Sequence, residues 1–241
     1  MIKAVTFDLW NTVIEGSSMD YTRQRVNYLV DVLKSQSYSV DFDAVIDAYA
    51  SAEAAFRWAR EREFRFVSVR DRVDLILERL RIRLTEKWKA KITKEFEEAA
   101  LKNPPPLVNG AKFVLESLYG KYLIGLICDS GVTPGRMLRK VLAANGVLKY
   151  FNCTVFSDEV GYNKPHSLMF SEALEKLRIK AEEAVHVGDL LSTDVAGAKA
   201  AGMKAVWVNR NKEAIQNTSY KPDYEISSLP KLIDLLENVL L

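Results

Sequence analysis

Cysteine and histidine are scarce in this chain, which has two of each among 241 residues. Cys128 and Cys153 are too few for a disulfide framework, and neither belongs to a cluster with the spacing of a zinc site. Two histidines likewise exclude a metal site built from several imidazoles. The cysteine usage is typical of a reducing compartment, so we expect a cytoplasmic protein.

The chain also lacks a large excess of either sign of charge and has no long apolar segment. Lys and Arg total 34 and Asp and Glu total 32, which leaves a formal net charge of +2 and no electrostatic reason for a nucleic-acid partner. The longest apolar runs fall well short of the ~18 residues that a membrane span needs. A chain of this length with 48% hydrophobic residues buries a substantial core, and we expect a soluble monomer or homodimer.

Two patterns of apolar residues divide the chain. Strands are predicted where short β-branched or aromatic runs occur, at Ile2–Phe7, Tyr122–Cys128, Cys153–Phe156, Ala184–Val187 and Lys204–Val208. Helices alternate with them at Gly110–Tyr119, Pro134–Ala144, Ser167–Leu177, Thr193–Ala201 and Leu229–Val239. This alternation predicts an α/β fold with a doubly wound parallel sheet, covered by helices on both faces.

The stretch between the first strand and Pro104 has a different character. It contains no proline, and its apolar residues recur at spacings of three and four, which predicts about four amphipathic helices. We therefore expect an all-helical domain of residues 16–104 inserted into an α/β core of residues 1–15 and 105–241. The prolines at 104–106 form a stiff linker at the boundary.

Polar residues that follow the predicted strands are the candidates for a functional site, because ligands of open α/β sheets bind beyond the carboxyl ends of the strands. These candidates are Asp8, Asp129, Ser130, Lys164, Asp189 and Asp194. Crowded aspartates repel and raise one another's pKa, a penalty that a hard cation such as Mg²⁺ removes. With Lys164 and Ser130 binding phosphate oxygens, an aspartate is placed to attack phosphorus and form an aspartyl-phosphate.

Four short motifs, in this order along the chain, resemble those of the haloacid dehalogenase superfamily. They are Asp8-Leu9-Trp10-Asn11-Thr12, Cys128-Asp129-Ser130, Lys164-Pro165, and Gly188-Asp189 followed by Asp194. The resemblance covers essentially the whole chain, and the helical segment after the first motif resembles the C1 cap of that superfamily. It implies that Asp8 is the catalytic nucleophile, assisted by Lys164. It also implies a substrate-binding set of Cys128, Asp129, Ser130 and Lys164, and a Mg²⁺ site formed by Asp8, Asp189, Asp194 and the backbone carbonyl of Trp10.

Two residues depart from the phosphatase pattern of that superfamily. Trp10 occupies the position of a second aspartate, which protonates the leaving group and later activates water, and an indole does neither. General acid catalysis contributes about 10²–10⁴-fold, so we expect slow turnover. Cys128 occupies a position that carries Ser or Thr in the superfamily. A thiol is a weaker hydrogen-bond donor, and Ser130 is the candidate to replace it.

The motifs leave three hypotheses of function. An aromatic residue two positions after the nucleophile also resembles the metal-free 2-haloacid dehalogenases, in which halide leaves without a proton. The paired carboxylates Asp189 and Asp194 favour instead a Mg²⁺-dependent phosphatase for a small anionic metabolite of the triose-phosphate or phosphoglycolate type. The third hypothesis is a catalytically weak binding protein of the same fold.

The helical segment also contains a run of arginines, at Arg57, Arg60, Arg62, Arg65, Arg70 and Arg72. Acidic residues lie among them, so we expect mostly a solvated helix face. The alternative is that one or two of these arginines contact an anionic substrate.

Three other side chains are predicted to be structural. Trp58 is expected in the core of the helical domain, and Cys128 is expected to be a small buried hydrophobe rather than a reactive thiol. His186 lies between Val185 and Val187, and we expect it on the face of its strand opposite the site.

Overall fold

In the computed structural model, which describes residues 1–16, 21–212 and 220–238, these parts of the chain form six strands and ten α-helices. The strands are β1 (Ala4–Phe7), β2 (Leu123–Cys128), β3 (Cys153–Phe156), β4 (Ala184–Gly188), β5 (Lys204–Val208) and β6 (Tyr224–Ile226). They form one parallel sheet in the order β3-β2-β1-β4-β5-β6, which confirms the predicted α/β class. The order reverses between β1 and β4, and open α/β sheets bind their ligands at such a switch point.

Alternating side chains of the central strands enter two separate apolar cores. On one face of the sheet, residues such as Val5 and Val187 cluster with α5 (Ala111–Leu118), α6 (Gly135–Ala144) and α10 (Lys231–Asn238). On the other face, residues such as Ala184 cluster with Val160 of the short helix α7 (Ser157–Val160), with α8 (Ser167–Leu177) and with α9 (Ala196–Ala200). Burial on both faces explains why these strands are almost wholly apolar, and it fixes their register.

Four helices between β1 and β2 share an apolar core of their own, and together they are called the helical insert below. They are α1 (Thr22–Ser35), α2 (Phe42–Glu63), α3 (Val69–Arg79) and α4 (Glu86–Lys102). Asp41 caps α2, because its Oδ1 accepts the Ala44 N–H at 2.7 Å, and the Ser68 hydroxyl caps α3 in the same way. No helix in the described ranges combines the length and the apolarity needed to cross a membrane.

The helical insert is tied to the α/β core beside Lys164. Helix α2 ends at Glu63 and is followed by Phe64, whose backbone is left-handed with φ of 52°. The carbonyl of Phe64 accepts the Asn163 N–H at 2.6 Å, and the Phe66 N–H donates to the Gly161 carbonyl at 3.0 Å. These bonds join the insert directly to the loop that carries Lys164.

Several local predictions differ from the structure. Trp58 was expected in the core of the insert but is 59% exposed, because α2 buries the face that holds Ala52, Phe56 and Ala59. Strand β6 was missed, since three residues carry too little pattern to be seen. The predicted helix Thr193–Ala201 divides into a π-helical turn, Leu191–Val195, followed by α9. The end of the predicted last helix, Val239, lies outside the described residues.

Candidate active site

The strand ends at the switch point surround a cavity of about 470 Å³. From the α/β core its lining includes all but one of the predicted site residues: Asp8, Trp10, Asp129, Ser130, Lys164, Asp189 and Asp194. From the helical insert it includes Arg25 of α1 and Arg60 of α2, and Tyr21 lies just before α1. The cavity therefore lies between the sheet edge and the insert.

Lys164 lies between two buried carboxylates. Its Nζ is 2.5 Å from Oδ1 of Asp8 and 2.7 Å from Oδ1 of Asp194, and each of the three side chains is at most 8% exposed. Burial alone would lower the pKa of Lys164, but Asp194 and Asp8 outweigh it and hold that pKa well above its ordinary value. Lys164 is therefore a fixed positive charge at the base of the cavity.

One lysine does not neutralise the acidic groups around it. Oxygen atoms of Asp8, Asp189 and Asp194 lie within 4.8 Å of one another. Burial, together with the neighbouring acids, raises the pKa of Asp8 to about 8 against the opposing effect of Lys164. Burial and Asp194 raise the pKa of Asp189 to about 6. Three clustered carboxylate oxygens served by a single lysine fit a hard divalent cation such as Mg²⁺, which takes the place of the retained protons.

Asp194 reaches the cavity because the chain folds back after β4. A Cβ atom at Gly188 would lie 2.3 Å from the carboxyl carbon of Asp194, so this approach requires glycine. The Leu190 N–H donates to Oδ2 of Asp194 at 3.0 Å, and the Asp194 N–H donates to the Leu190 carbonyl at 2.9 Å. Burial works to raise the pKa of Asp194, but Lys164 and His186 outweigh it and hold that pKa below its ordinary value.

The prediction that His186 faces away from the site is wrong. Its Nε2 lies 3.4 Å from Oδ1 of Asp194, and its Nδ1 lies 2.9 Å from the Thr6 hydroxyl. The strand pattern was correct, but the turn at residues 191–195 carries Asp194 back over the face that holds His186. Burial lowers the pKa of His186 and favours the neutral ring, which then donates from Nε2 to the ionised Asp194. His186 thus supports Asp194 from below the cavity.

The second motif places Asp129 and Ser130 on the cavity wall. Oδ1 of Asp129 accepts the backbone N–H of Lys164 at 2.8 Å. The Ser130 hydroxyl lies 2.9 Å from that of Ser157 and accepts the Asp158 N–H at 3.1 Å. Ser157 was not predicted, although it follows β3 directly and the same strand-end rule would have found it.

Cys128 is the exception among the predicted site residues. Its side chain is fully buried within the apolar core on one face of the sheet, and it does not line the cavity. Burial raises the pKa of its thiol well above the ordinary value. The expectation of a buried hydrophobe therefore agrees with the structure, and we leave Cys128 out of the substrate-binding set.

Arg25 also lines the cavity and was not predicted to do so. It is 7% exposed, and its Nε donates to the Phe96 carbonyl at 3.1 Å. A signal for it exists in the sequence, because Arg25 interrupts the apolar stripe that continues through Leu29 and Leu33 of α1. A charged residue within the buried stripe of a helix is unusual unless it has a partner.

Comparisons with known proteins agree with this geometry. The family model for haloacid dehalogenase-like hydrolases matches residues 2–202. The glyceraldehyde 3-phosphate phosphatase of Pyrococcus furiosus is 29% identical over 238 residues, which are 98% of this chain and 93% of that protein.

Two solved structures share the fold over nearly their full lengths. The HAD phosphatase from Thermococcus onnurineus has a TM-score of 0.69 at 26% identity and covers 98% of each chain. The 2-haloacid dehalogenase from Pseudomonas syringae pv. Tomato DC3000 has a TM-score of 0.72 at 26% identity and covers 98% of this chain and 99% of its own. Motifs, fold and family match agree, and the chain belongs to the haloacid dehalogenase-like hydrolase family.

Proposed function

We propose that this protein is a Mg²⁺-dependent phosphatase that hydrolyses small phosphorylated metabolites through an aspartyl-phosphate on Asp8. The observation that carries the proposal is the cluster of Asp8, Asp189 and Asp194, whose oxygens lie within 4.8 Å of one another. Without a metal, this repulsion is relieved only by Lys164 and by the protons that the raised pKa values of Asp8 and Asp189 retain. The relative from Pyrococcus furiosus, named as a phosphatase, supports the same conclusion.

The chain's own residues account for a two-step reaction. A carboxylate oxygen of Asp8 attacks phosphorus, the ester P–O bond breaks, and the leaving oxygen takes a proton from water. Water then attacks the phosphorus of the aspartyl-phosphate, which releases inorganic phosphate and regenerates the Asp8 carboxylate. Lys164 holds Asp8 in place and, together with Ser130, binds oxygens of the transferring group.

We assign the cation to Asp8, Asp189, Asp194 and the backbone carbonyl of Trp10. When bound, Mg²⁺ supplies positive charge that neutralises these carboxylates and the phosphate oxygens. Both oxygens of Asp194 already accept hydrogen bonds, from Lys164 and from the Leu190 N–H, so its orientation is fixed.

Trp10 gives the proposed reaction a specific weakness. Trp10 lines the cavity, and its side chain packs against Gly16, where an added Cβ would lie 3.2 Å from the indole. An indole neither protonates the leaving oxygen nor deprotonates water. Both steps therefore depend on solvent or on the substrate itself, and esters with good leaving groups react fastest.

We propose that the helical insert acts as a cap of residues 16–104 over the α/β core. Its Tyr21, Arg25 and Arg60 line the cavity from above, and the backbone bond between Phe64 and Asn163 holds it next to Lys164. A cap in this place excludes bulk water from the reacting phosphate and favours small substrates such as triose phosphates or phosphoglycolate.

A second candidate is a metal-independent 2-haloacid dehalogenase, which Trp10 favours because halide leaves without a proton. One experiment separates the candidates: phosphate release from a panel of small esters with Mg²⁺ or with EDTA, beside chloride release from 2-chloropropionate. We expect phosphate release that EDTA abolishes. Chloride release that is insensitive to EDTA would contradict the proposal. The absence of both activities would indicate a binding protein.

A further inference from the structure

A second cavity, of about 220 Å³, adjoins the first. Four arginines line it: Arg57, Arg60, Arg65 and Arg72. They come from different parts of the helical insert, since the first two lie on α2, Arg65 follows it and Arg72 lies on α3. Arg60, Asp129, Gly131 and Val132 line both cavities, so the two share a wall.

The arginines of the second cavity are only partly neutralised. Glu53 is engaged by Arg72, whose Nη1 lies 2.7 and 2.9 Å from its two oxygens. The carboxylate nearest to Arg60 is Glu61 at 3.9 Å, an exposed pair of little strength. Among the described residues, no carboxylate oxygen lies within 4.0 Å of the Arg57 guanidinium. Arg57 and Arg60 therefore leave positive charge in the cavity.

Arg72 is held in place before any ligand arrives. Its guanidinium lies over the Phe56 ring, 4.6 Å from the centroid, and Glu53 fixes its outer edge. Its Nε is buried without a hydrogen-bond acceptor in the described parts of the chain. This enclosed donor is not reached from the cavity, so it is Phe56 and Glu53 that fix the position of the guanidinium.

The two adjoining cavities differ in the charge of the residues that line them. Four carboxylates and three cations line the first cavity: Asp8, Asp129, Asp189 and Asp194 with Arg25, Arg60 and Lys164. Four arginines and two carboxylates, Glu53 and Asp129, line the second, where Arg65 also pairs with Glu63 at 3.1 Å, so the second cavity is the more positive of the two. A substrate with two anionic ends is therefore oriented: one phosphate lies at the metal-binding carboxylates, and the other anion is repelled from them and attracted to the arginines.

We propose that the second cavity, named here the arginine subsite, binds a second anionic group of the substrate, remote from the phosphate that is transferred to Asp8. The inference rests on the proposed function and names its substrate class: phosphate monoesters that carry a carboxylate or a second phosphate at the far end. Guanidinium groups bind both anions with paired hydrogen bonds. Glyceraldehyde 3-phosphate, the substrate in the name of the Pyrococcus relative, has an uncharged far end, so of the two substrate types proposed above the subsite favours the phosphoglycolate type.

The test compares kcat/KM, in excess Mg²⁺, for three series of alkyl phosphates of increasing chain length. One series ends in a carboxylate, one in the neutral carboxamide of the same shape, and one in a second phosphate. At the chain length that spans the two cavities, a charged ester exceeds its carboxamide by about tenfold or more, the effect of one charge-assisted hydrogen bond. The carboxylate and bisphosphate series identify which anion the subsite prefers.

Matched variants test the assignment to the arginines. Arg57→Gln and Arg60→Gln bring the ratio of charged to neutral ester close to one, since both side chains are exposed and their loss leaves the fold intact. Arg62→Gln is the control, because Arg62 lies on the same helix, is also exposed, and lines neither cavity. Thermal melts of all three variants check that the fold is kept.

The outcomes separate the inference from the function on which it rests. Equal kcat/KM for charged and neutral esters at every chain length overturns the arginine subsite and leaves the phosphatase proposal standing. A ratio that survives in both cavity variants, or that falls as much in Arg62→Gln, also overturns it. No hydrolysis of any ester in Mg²⁺ overturns the proposed function and the inference with it.

Discussion

The Nζ atom of Lys164 lies 2.5 Å from Oδ1 of Asp8, and both side chains are buried at the carboxyl end of the sheet. The same ammonium group contacts Asp194 at 2.7 Å. A buried charge is tolerated only when it is paired, so this lysine supports the fold as well as the chemistry.

Replacing Lys164 by methionine is expected to reduce the free energy of unfolding of the metal-free protein by about 3–5 kcal/mol at neutral pH, because the buried, ionised Asp194 loses its positively charged partner and Asp8 loses a hydrogen-bond donor. Lys199→Met is the control: Lys199 pairs with Asp223 but is 41% exposed, so its loss should cost less than about 1 kcal/mol. Urea denaturation measures both values. Equal losses in the two variants would show that the buried triad does not carry the stability assigned to it.

The raised pKa values predict that metal binding and pH are linked. Asp8, with a pKa of about 8, and Asp189, with a pKa of about 6, hold protons in the folded chain that the unfolded chain has already released. The metal-free protein therefore loses stability as pH rises from about 4 to about 8. Mg²⁺ displaces these protons, so its affinity rises between pH 6 and pH 8, by up to about tenfold per pH unit for each proton released.

Calorimetric titration in two buffers of different ionisation enthalpy counts the protons that Mg²⁺ releases. Thermal melts should show a larger stabilisation by Mg²⁺ at pH 8 than at pH 6. A Mg²⁺ affinity that stays constant across this range would contradict the assignment of Asp8 and Asp189 as ligands.

The indole of Trp10 predicts an unusual dependence on the leaving group. Trp10→Asp should raise kcat on alkyl phosphates by about 10²–10⁴-fold, because it supplies the missing acid. It should change the hydrolysis of p-nitrophenyl phosphate far less, since p-nitrophenolate leaves without a proton. Trp10→Asn is the matched control, because asparagine has the same shape as aspartate but no titratable proton. If the asparagine variant gains as much as the aspartate variant, the indole limits turnover by its bulk and not by its chemistry.

The sequence predicted the residues that follow strands more reliably than the residues that reach the site from elsewhere. Asp8, Asp129, Lys164 and Asp189 were found because the ends of parallel strands meet at one edge, whatever the details of packing. The environment of Cys128 was predicted correctly as a buried hydrophobe, but the resemblance also put it in the substrate-binding set, which this last residue of its strand does not join because its side chain lies in the sheet core.

The sequence patterns did not predict the contacts made by the turn that folds back after β4 or by the helical insert. The approach of His186 to Asp194 depends on the turn at residues 191–195, which strand periodicity does not describe. The arginine subsite needs the relative placement of α2, α3 and the loop at residues 161–163, which is set by the contact between Phe64 and Asn163. Spacing along one helix predicts which residues share a face, but not what that face meets.

The central claim is that Asp8 carries the phosphoryl group. Because the residue that would activate water is absent at position 10, hydrolysis of the aspartyl-phosphate is slow. The intermediate should therefore accumulate when the leaving group needs no proton, as with p-nitrophenyl phosphate. The Mg²⁺-loaded protein is mixed with this ester, labelled with ³²P, and quenched rapidly with acid. We predict a hydroxylamine-sensitive label on the unchanged protein and on the Asp31→Asn variant. The Asp8→Asn variant should carry no label. Asp31 is exposed on α1 and serves as the control. A chain that releases phosphate without ever carrying the label, or an Asp8→Asn variant that keeps it, would contradict the account.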